Sequence, residues 1–137
     1  SKATNYDAAE VALRALEGPL VVLAGGEAKL GDATAWIAQL QRQAPAVVLF
    51  GAAQAEFQQL LREADFPGAV HRCQSLTDGV PLAVQLAQAH QCRAVLLSPA
   101  CASFDMFDNY EQRAHAFVSA VQALADEVGV MSLGAAA

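Results

Sequence analysis

The chemistry available to this sequence is concentrated in two lysines and one short loop. The chain carries six arginines but only two lysines, Lys2 and Lys29. Both lie in loops beside glycine or small polar residues. Lys29 closes Gly25-Gly26-Glu27-Ala28-Lys29, a turn that follows the apolar run Leu20-Val21-Val22-Leu23. The loop is Ser98 to Ser103, small residues between the apolar run Ala94-Val95-Leu96-Leu97 and an amphipathic segment from Tyr110. An open α/β sheet places its ligand at the carboxyl ends of strands, facing a helix N-terminus. A lysine on one such loop, with a hydroxyl and backbone amides on another, suits a carboxylate or phosphate. Each feature also has a plainer reading. Lys29 could be a solvated surface lysine, Ser103 a helix cap, and Asp105 and Asp108 helix N-terminal charges. Gly25-Gly26 lets the backbone turn sharply and lets a ligand approach.

Other chemistries find less support. Cys73, Cys92 and Cys101 form an odd set with no CxxC pair and no zinc-like spacing, which reads as reduced thiols in a cytosolic compartment. Cys101 with His115 would make a nucleophile and its base, but a small cysteine in an alanine-rich loop reads better as packing. His71, His90 and His115 are scattered. The GxxxxGK[ST] phosphate loop and the GxGxxG dinucleotide fingerprint are absent. With no triad, metal cluster or paired carboxylates, the chain is expected to bind rather than react. A net charge of −6 without a basic stripe argues against nucleic acid. No apolar run approaches the roughly 20 residues that span a bilayer.

The elements that must position these loops are legible from periodicity. Leu20–Leu23, Ala46–Phe50 and Ala94–Leu97 are short, apolar and bounded by glycine or proline, as strands buried on both faces are. Ala69-Val70-His71 is a weaker candidate. Helical spacing marks Ala8, Val11, Ala12, Ala15 and Leu16, with a stop at Gly18-Pro19. It recurs at Trp36, Ile37 and Leu40, at Phe57, Leu60 and Leu61, and at Val80, Ala83, Val84 and Ala87. The last helix is marked by Tyr110, Ala114, Phe117, Val118, Val121, Leu124, Ala125 and Val128. Asn109 with Gln112 would form a capping box at its start, and Gly129 would supply its stop. The alternation predicts a single α/β domain over 1–137, Rossmann-like, with a doubly wound, mostly parallel sheet flanked by helices. The loops after the strands at residues 20, 46 and 94 then leave one edge of the sheet.

Three of these stretches resemble one family. Ser1-Lys2-Ala3-Thr4-Asn5 is similar to the Asp-Ser-Lys-Ala-Thr-Asn junction of the Mur ligases, beginning just after its Asp. Gly25-Gly26-Glu27-Ala28-Lys29 resembles their Gly-Gly-x-x-Lys loop. Ser98-Pro99-Ala100-Cys101-Ala102-Ser103-Phe104-Asp105, followed by Phe107-Asp108-Asn109-Tyr110-Glu111-Gln112-Arg113, resembles the D-glutamate-adding branch. The resemblance implies that residues 1–137 are a C-terminal domain cut from a longer chain, with the central ATPase and UDP-binding domains lying outside it.

It further implies a bacterial, cytoplasmic ligase of peptidoglycan precursor synthesis. In that scheme ATP and Mg2+, held mainly by the central domain, activate the carboxylate of UDP-N-acetylmuramoyl-L-alanine as an acyl phosphate. D-glutamate attacks it, and the C-terminal domain closes over the ATP site and presents the amino acid. Carried over by position, Thr4 and Lys29 hold one D-glutamate carboxylate, and Ser103, Phe104 and Tyr110 frame the other. Lys2 lies near the phosphates and is the candidate catalytic residue. Phe104 stands where some members carry Leu. The isolated chain is expected to need no cofactor, to be inactive and to bind D-glutamate weakly. Two readings compete: a Mur ligase that adds another amino acid, and a non-catalytic α/β module for a small anion or partner protein.

Overall fold

Alternation along the strands builds two cores on opposite faces of one sheet. The computed structural model describes residues 1–127. Strands β1 (Leu20–Gly25), β3 (Ala46–Phe50), β4 (Ala69–Arg72) and β5 (Ala94–Leu97) form a parallel sheet in the order β4-β3-β1-β5. Leu20, Val22, Ala24, Val47, Leu49 and Leu96 point to one face. There they meet α1 (Tyr6–Arg14), α2 (Thr34–Gln43) and α3 (Gln54–Glu63) around the mutually tilted rings of Tyr6, Trp36 and Phe57. Val21, Leu23, Val48, Phe50 and Leu97 point to the other, against α4 (Leu76–Ala89) and α5 (Tyr110–Glu127). Every residue of β1 and β3 is buried, as expected for central parallel strands.

The chain winds from β1 outward through β3 to β4, then returns to place β5 on the other side of β1. The direction of winding therefore reverses between β1 and β5, where doubly wound sheets open a ligand crevice. A second sheet, which the sequence pattern did not signal, sits at that point. In it β2 (Glu27–Ala28) pairs antiparallel with β6 (Cys101–Ala102).

Two helix faces differ from the expected ones. On α1 the buried residues are Tyr6, Ala9 and Leu13, whereas Val11 and Leu16 face solvent. The buried stripe runs through Tyr6, Ala9 and Leu13 at helical spacing, and Tyr6 anchors it against Trp36 and Phe57. The helix also stops at Arg14, before Gly18-Pro19, and the Gln43 amide donates to the carbonyls of Leu13 (2.9 Å) and Leu16 (2.6 Å). On α5 the buried stripe is Arg113, Phe117, Val121 and Ala125 at strict four-residue steps, and Val118 is exposed. Asn109 caps α5, its Oδ1 accepting the Gln112 amide at 2.8 Å, which is one half of the expected box. Val128 and Gly129 lie outside the described residues.

Candidate functional site

Loops from three strand ends converge at the β1–β5 switch point and are sewn to one another. Gly25 donates to the Pro99 carbonyl (3.0 Å), Gly26 to Phe50 (3.3 Å), and Ala53 to Gly26 (2.9 Å). Ala52 donates to the Asp105 carboxylate at 3.0 Å. The two glycines are required by this seam. Gly25 and Gly26 have φ of +149° and +127°, and a Cβ would lie 1.9 Å from the Phe50 carbonyl oxygen and 2.3 Å from that of Ala102. What approaches these glycines is the protein's own backbone, which corrects the expectation that they admit a ligand. The amides of Gly25, Gly26, Ala52 and Ala53 all have protein acceptors and are not free to bind an anion. Asp105 likewise differs from its expected role: it bridges to the approach to α3 and is not in the first turn of α5.

An arm at the chain's start lies against the same edge. Ala100 donates to the Ala3 carbonyl at 2.9 Å, and the Ser1 hydroxyl donates to the Tyr110 carbonyl at 2.7 Å. Arg113, which the periodicity reading passed over, lies beneath. Its Nε donates to Ser1 Oγ (3.1 Å) and its two Nη groups to the carbonyls of Cys101 (2.9 Å) and Ser1 (2.7 Å). The signal that could have found it is its spacing. It stands four residues before Phe117 on the apolar stripe of α5.

Of the six candidate residues, Lys29 and Ser103 flank opposite ends of the β2–β6 ribbon. Lys29 lies one residue beyond the Ala28–Cys101 pair, toward Ala100, whose amide holds the arm one residue short of Thr4. Lys29 is exposed and lines a groove of about 270 Å³ with Tyr6, Asp32, Thr34 and Glu56. Ser103 lies beyond the other end of the ribbon, past the Glu27–Ala102 pair. At the strand rise, the Cα atoms of Lys29 and Ser103 are separated by about 10 Å. Ser103 is buried, and its carbonyl accepts from Met106 (3.2 Å) and Phe107 (2.8 Å). Its hydroxyl has no hydrogen-bond partner among the described residues, and the cap of α5 is Asn109 instead. Phe104 is exposed and Tyr110 half-buried at the start of α5. Lys2 is exposed next to the anchored Ser1.

Burial, then the charge of Glu56, pushes the Tyr6 hydroxyl up to about 12, so it stays protonated beside the Lys29 groove. Burial also pushes the Cys101 thiol up to about 12, inside the apolar cluster, which fits packing and not nucleophilic chemistry. The Asp32 carboxylate, held down by hydrogen bonds from the Thr34 hydroxyl and amide, caps the entry to α2. Among the described residues no group of three or more His, Cys, Asp or Glu could hold a metal ion, and no helix is long and apolar enough to cross a membrane.

No protein-family profile matches the chain. Among curated proteins it is 50% identical over 127 residues to UDP-N-acetylmuramoylalanine–D-glutamate ligase of Synechococcus sp. strain CC9605, which is 93% of this chain and 28% of that ligase. It is 50% identical over 121 residues to the ligase of the same name from Prochlorococcus marinus strain MIT 9313, covering 88% of this chain and 26% of that protein. The ligase from Nostoc sp. strain PCC 7120 is 50% identical over 119 residues, 85% of this chain and 25% of its own length. The chain thus spans about a quarter of the length of the curated relatives it matches. The resemblance to the D-glutamate-adding Mur ligases holds along nearly the whole chain.

Proposed function

We propose that this chain is the C-terminal, amino-acid-presenting domain of a bacterial ligase that joins D-glutamate to UDP-N-acetylmuramoyl-L-alanine in cytoplasmic peptidoglycan precursor synthesis. The observation that carries the reading is the half-identity to D-glutamate ligases over some nine-tenths of the chain. The site's geometry agrees with it. D-glutamate is a dianion whose two carboxylates are separated by a short carbon chain. Lys29 with Thr4 would hold one carboxylate, and the Ser103 hydroxyl with Phe104 and Tyr110 would frame the other, with Lys29 and Ser103 flanking opposite ends of the ribbon. Holding both ends would orient the amine for attack on an acyl phosphate, a proximity contribution to rate. Closing this edge over the reacting groups would exclude water from an intermediate that hydrolyses readily.

In this reading ATP and Mg2+ supply the acyl phosphate and are held mainly by polypeptide outside this chain. The residues present do not themselves form a cradle for them. The phosphate-loop motif is missing, and the amides of the strand-end loops are taken by protein acceptors. Lys2, exposed on the arm, would approach the phosphates.

The test is phosphate release by the full-length ligase containing this chain, with ATP, Mg2+ and UDP-N-acetylmuramoyl-L-alanine. Release that depends on D-glutamate and not on L-glutamate is expected. Release with neither isomer would refute the reading, and release with a diamino acid would reassign the branch.

A further inference from the structure

We infer that Arg113 is a positioning residue: its guanidinium fixes where the Ser1–Thr4 arm lies against β6, and so where Thr4 stands relative to Lys29. The roles of Thr4 and Lys29 in this inference rest on the proposed function; the clamp itself does not. Arg113 is the only charged side chain buried among the described residues, at 0% exposure. Burying a guanidinium is costly unless an opposite charge meets it. Here none does: among the described residues the ion pairs are Arg14–Glu10 and Arg93–Glu17. Asp105, near enough to act on Arg113 through its charge, gives its carboxylate to the Ala52 amide. The cation is instead held by three neutral oxygens, the Ser1 hydroxyl and the carbonyls of Ser1 and Cys101.

Those acceptors identify the consequence. Two belong to the arm and one to β6, so a single rigid fork sets the distance between segments more than 90 residues apart in sequence. The glycine turn after β1 packs on the same group, since a Cβ on Gly26 would sit 3.1 Å from Nη1. A methionine of similar bulk would fill the space without the desolvation cost, but would remove the three bonds to Ser1 and Cys101 and leave the arm held by the Ala100–Ala3, Ser1–Tyr110 and Ser1–Leu97 bonds. A lysine would keep the charge but could not reproduce a planar three-point contact. The unneutralised charge also raises the potential beneath a site read as binding a dianion.

Two readouts test this. Amide hydrogen exchange in the 137-residue chain, comparing wild type with Arg113→Met, reads the clamp without any ligand. The Ala100 amide is expected to exchange at least about tenfold faster while Val22 and Val48 change less than about twofold. Equal acceleration at all three amides, or none at Ala100, would overturn the inference. Should Arg113→Met fail to fold, Arg113→Lys, which keeps the charge but not the three-point contact, is read the same way. In the full-length ligase, Arg113→Met is expected to raise the KM for D-glutamate about tenfold with the KM for ATP within about twofold, and Arg113→Lys to recover little of it. An unchanged KM for D-glutamate would overturn the positioning role while leaving the proposed function standing. A wild-type ligase indifferent to D-glutamate would instead refute the proposed function, and the exchange result would still decide the clamp.

Discussion

Replacing Gly26 by alanine tests the seam on which the site is built. The residue sits at φ +127°, and an added Cβ would meet the Ala102 carbonyl oxygen at 2.3 Å, Cys101 Cβ at 3.0 Å and Arg113 Nη1 at 3.1 Å. Holding an L-residue in that region of backbone space costs about 1–3 kcal/mol. Overpacking adds about 1–3 kcal/mol, and the high end applies because the nearest atom is backbone in a paired strand. A loss of about 4 kcal/mol follows, a large share of the 5–15 kcal/mol typical of a whole domain. In urea, with a slope of about 2 kcal/mol per molar, the unfolding midpoint should fall by about 2 M at unchanged slope. Because the displaced atoms belong to β6 and the Arg113 clamp, the Ala100 amide should also exchange faster in the variant than in wild type at equal stability margin. A midpoint shift below about 0.5 M would mean that the β1 and β6 loops separate easily, and would refute the account of a tight seam.

Two further outcomes are expected. Burial raises Cys73 to about 11 and Cys101 to about 12, while Cys92 is raised by burial alone. Ellman's reagent at pH 8 should reach Cys92 first, and Cys101 only on unfolding; prompt labelling of Cys101 would place that loop in the open. Trp36→Ala, which empties the centre of the aromatic trio 5.4 Å from Tyr6 and 5.1 Å from Phe57, should cost about 3–5 kcal/mol in urea unfolding.

Much of this architecture was legible from local pattern. Strands β1 and β3 announce themselves because both faces are buried, so apolar residues run without interruption, and the edge strand β5, half-buried at Ala94 and Val95, carries the same apolar run. Trp36, Ile37 and Leu40 mark the buried side of α2 because bulky residues contrast with Gln41 and Arg42 beside them. On α1 the stripe through Ala8, Val11, Ala12 and Ala15 leaves out Tyr6 and Leu13, which form the buried face, so Val11 reads as core and lies in solvent. The β2–β6 ribbon could not be read, since a two-residue ladder between segments some 70 residues apart is set by tertiary packing. Of the site, the loops and their convergence were legible. The engagement of their amides was not, because hydrogen-bond satisfaction depends on what the other loops bring. Arg113 escaped because a charged residue on an apolar stripe is discounted unless its buried acceptors are known.

The most direct test of the central claim is the steady-state kinetics of Lys29→Ala in the full-length ligase, with D-glutamate and ATP varied in turn. If Lys29 and Thr4 hold one carboxylate of the amino acid, the KM for D-glutamate should rise at least about tenfold, the loss of a charged hydrogen bond, while that for ATP stays within about twofold. Equal increases in both constants, or an unchanged KM for D-glutamate, would contradict the assignment of this edge as the amino-acid site.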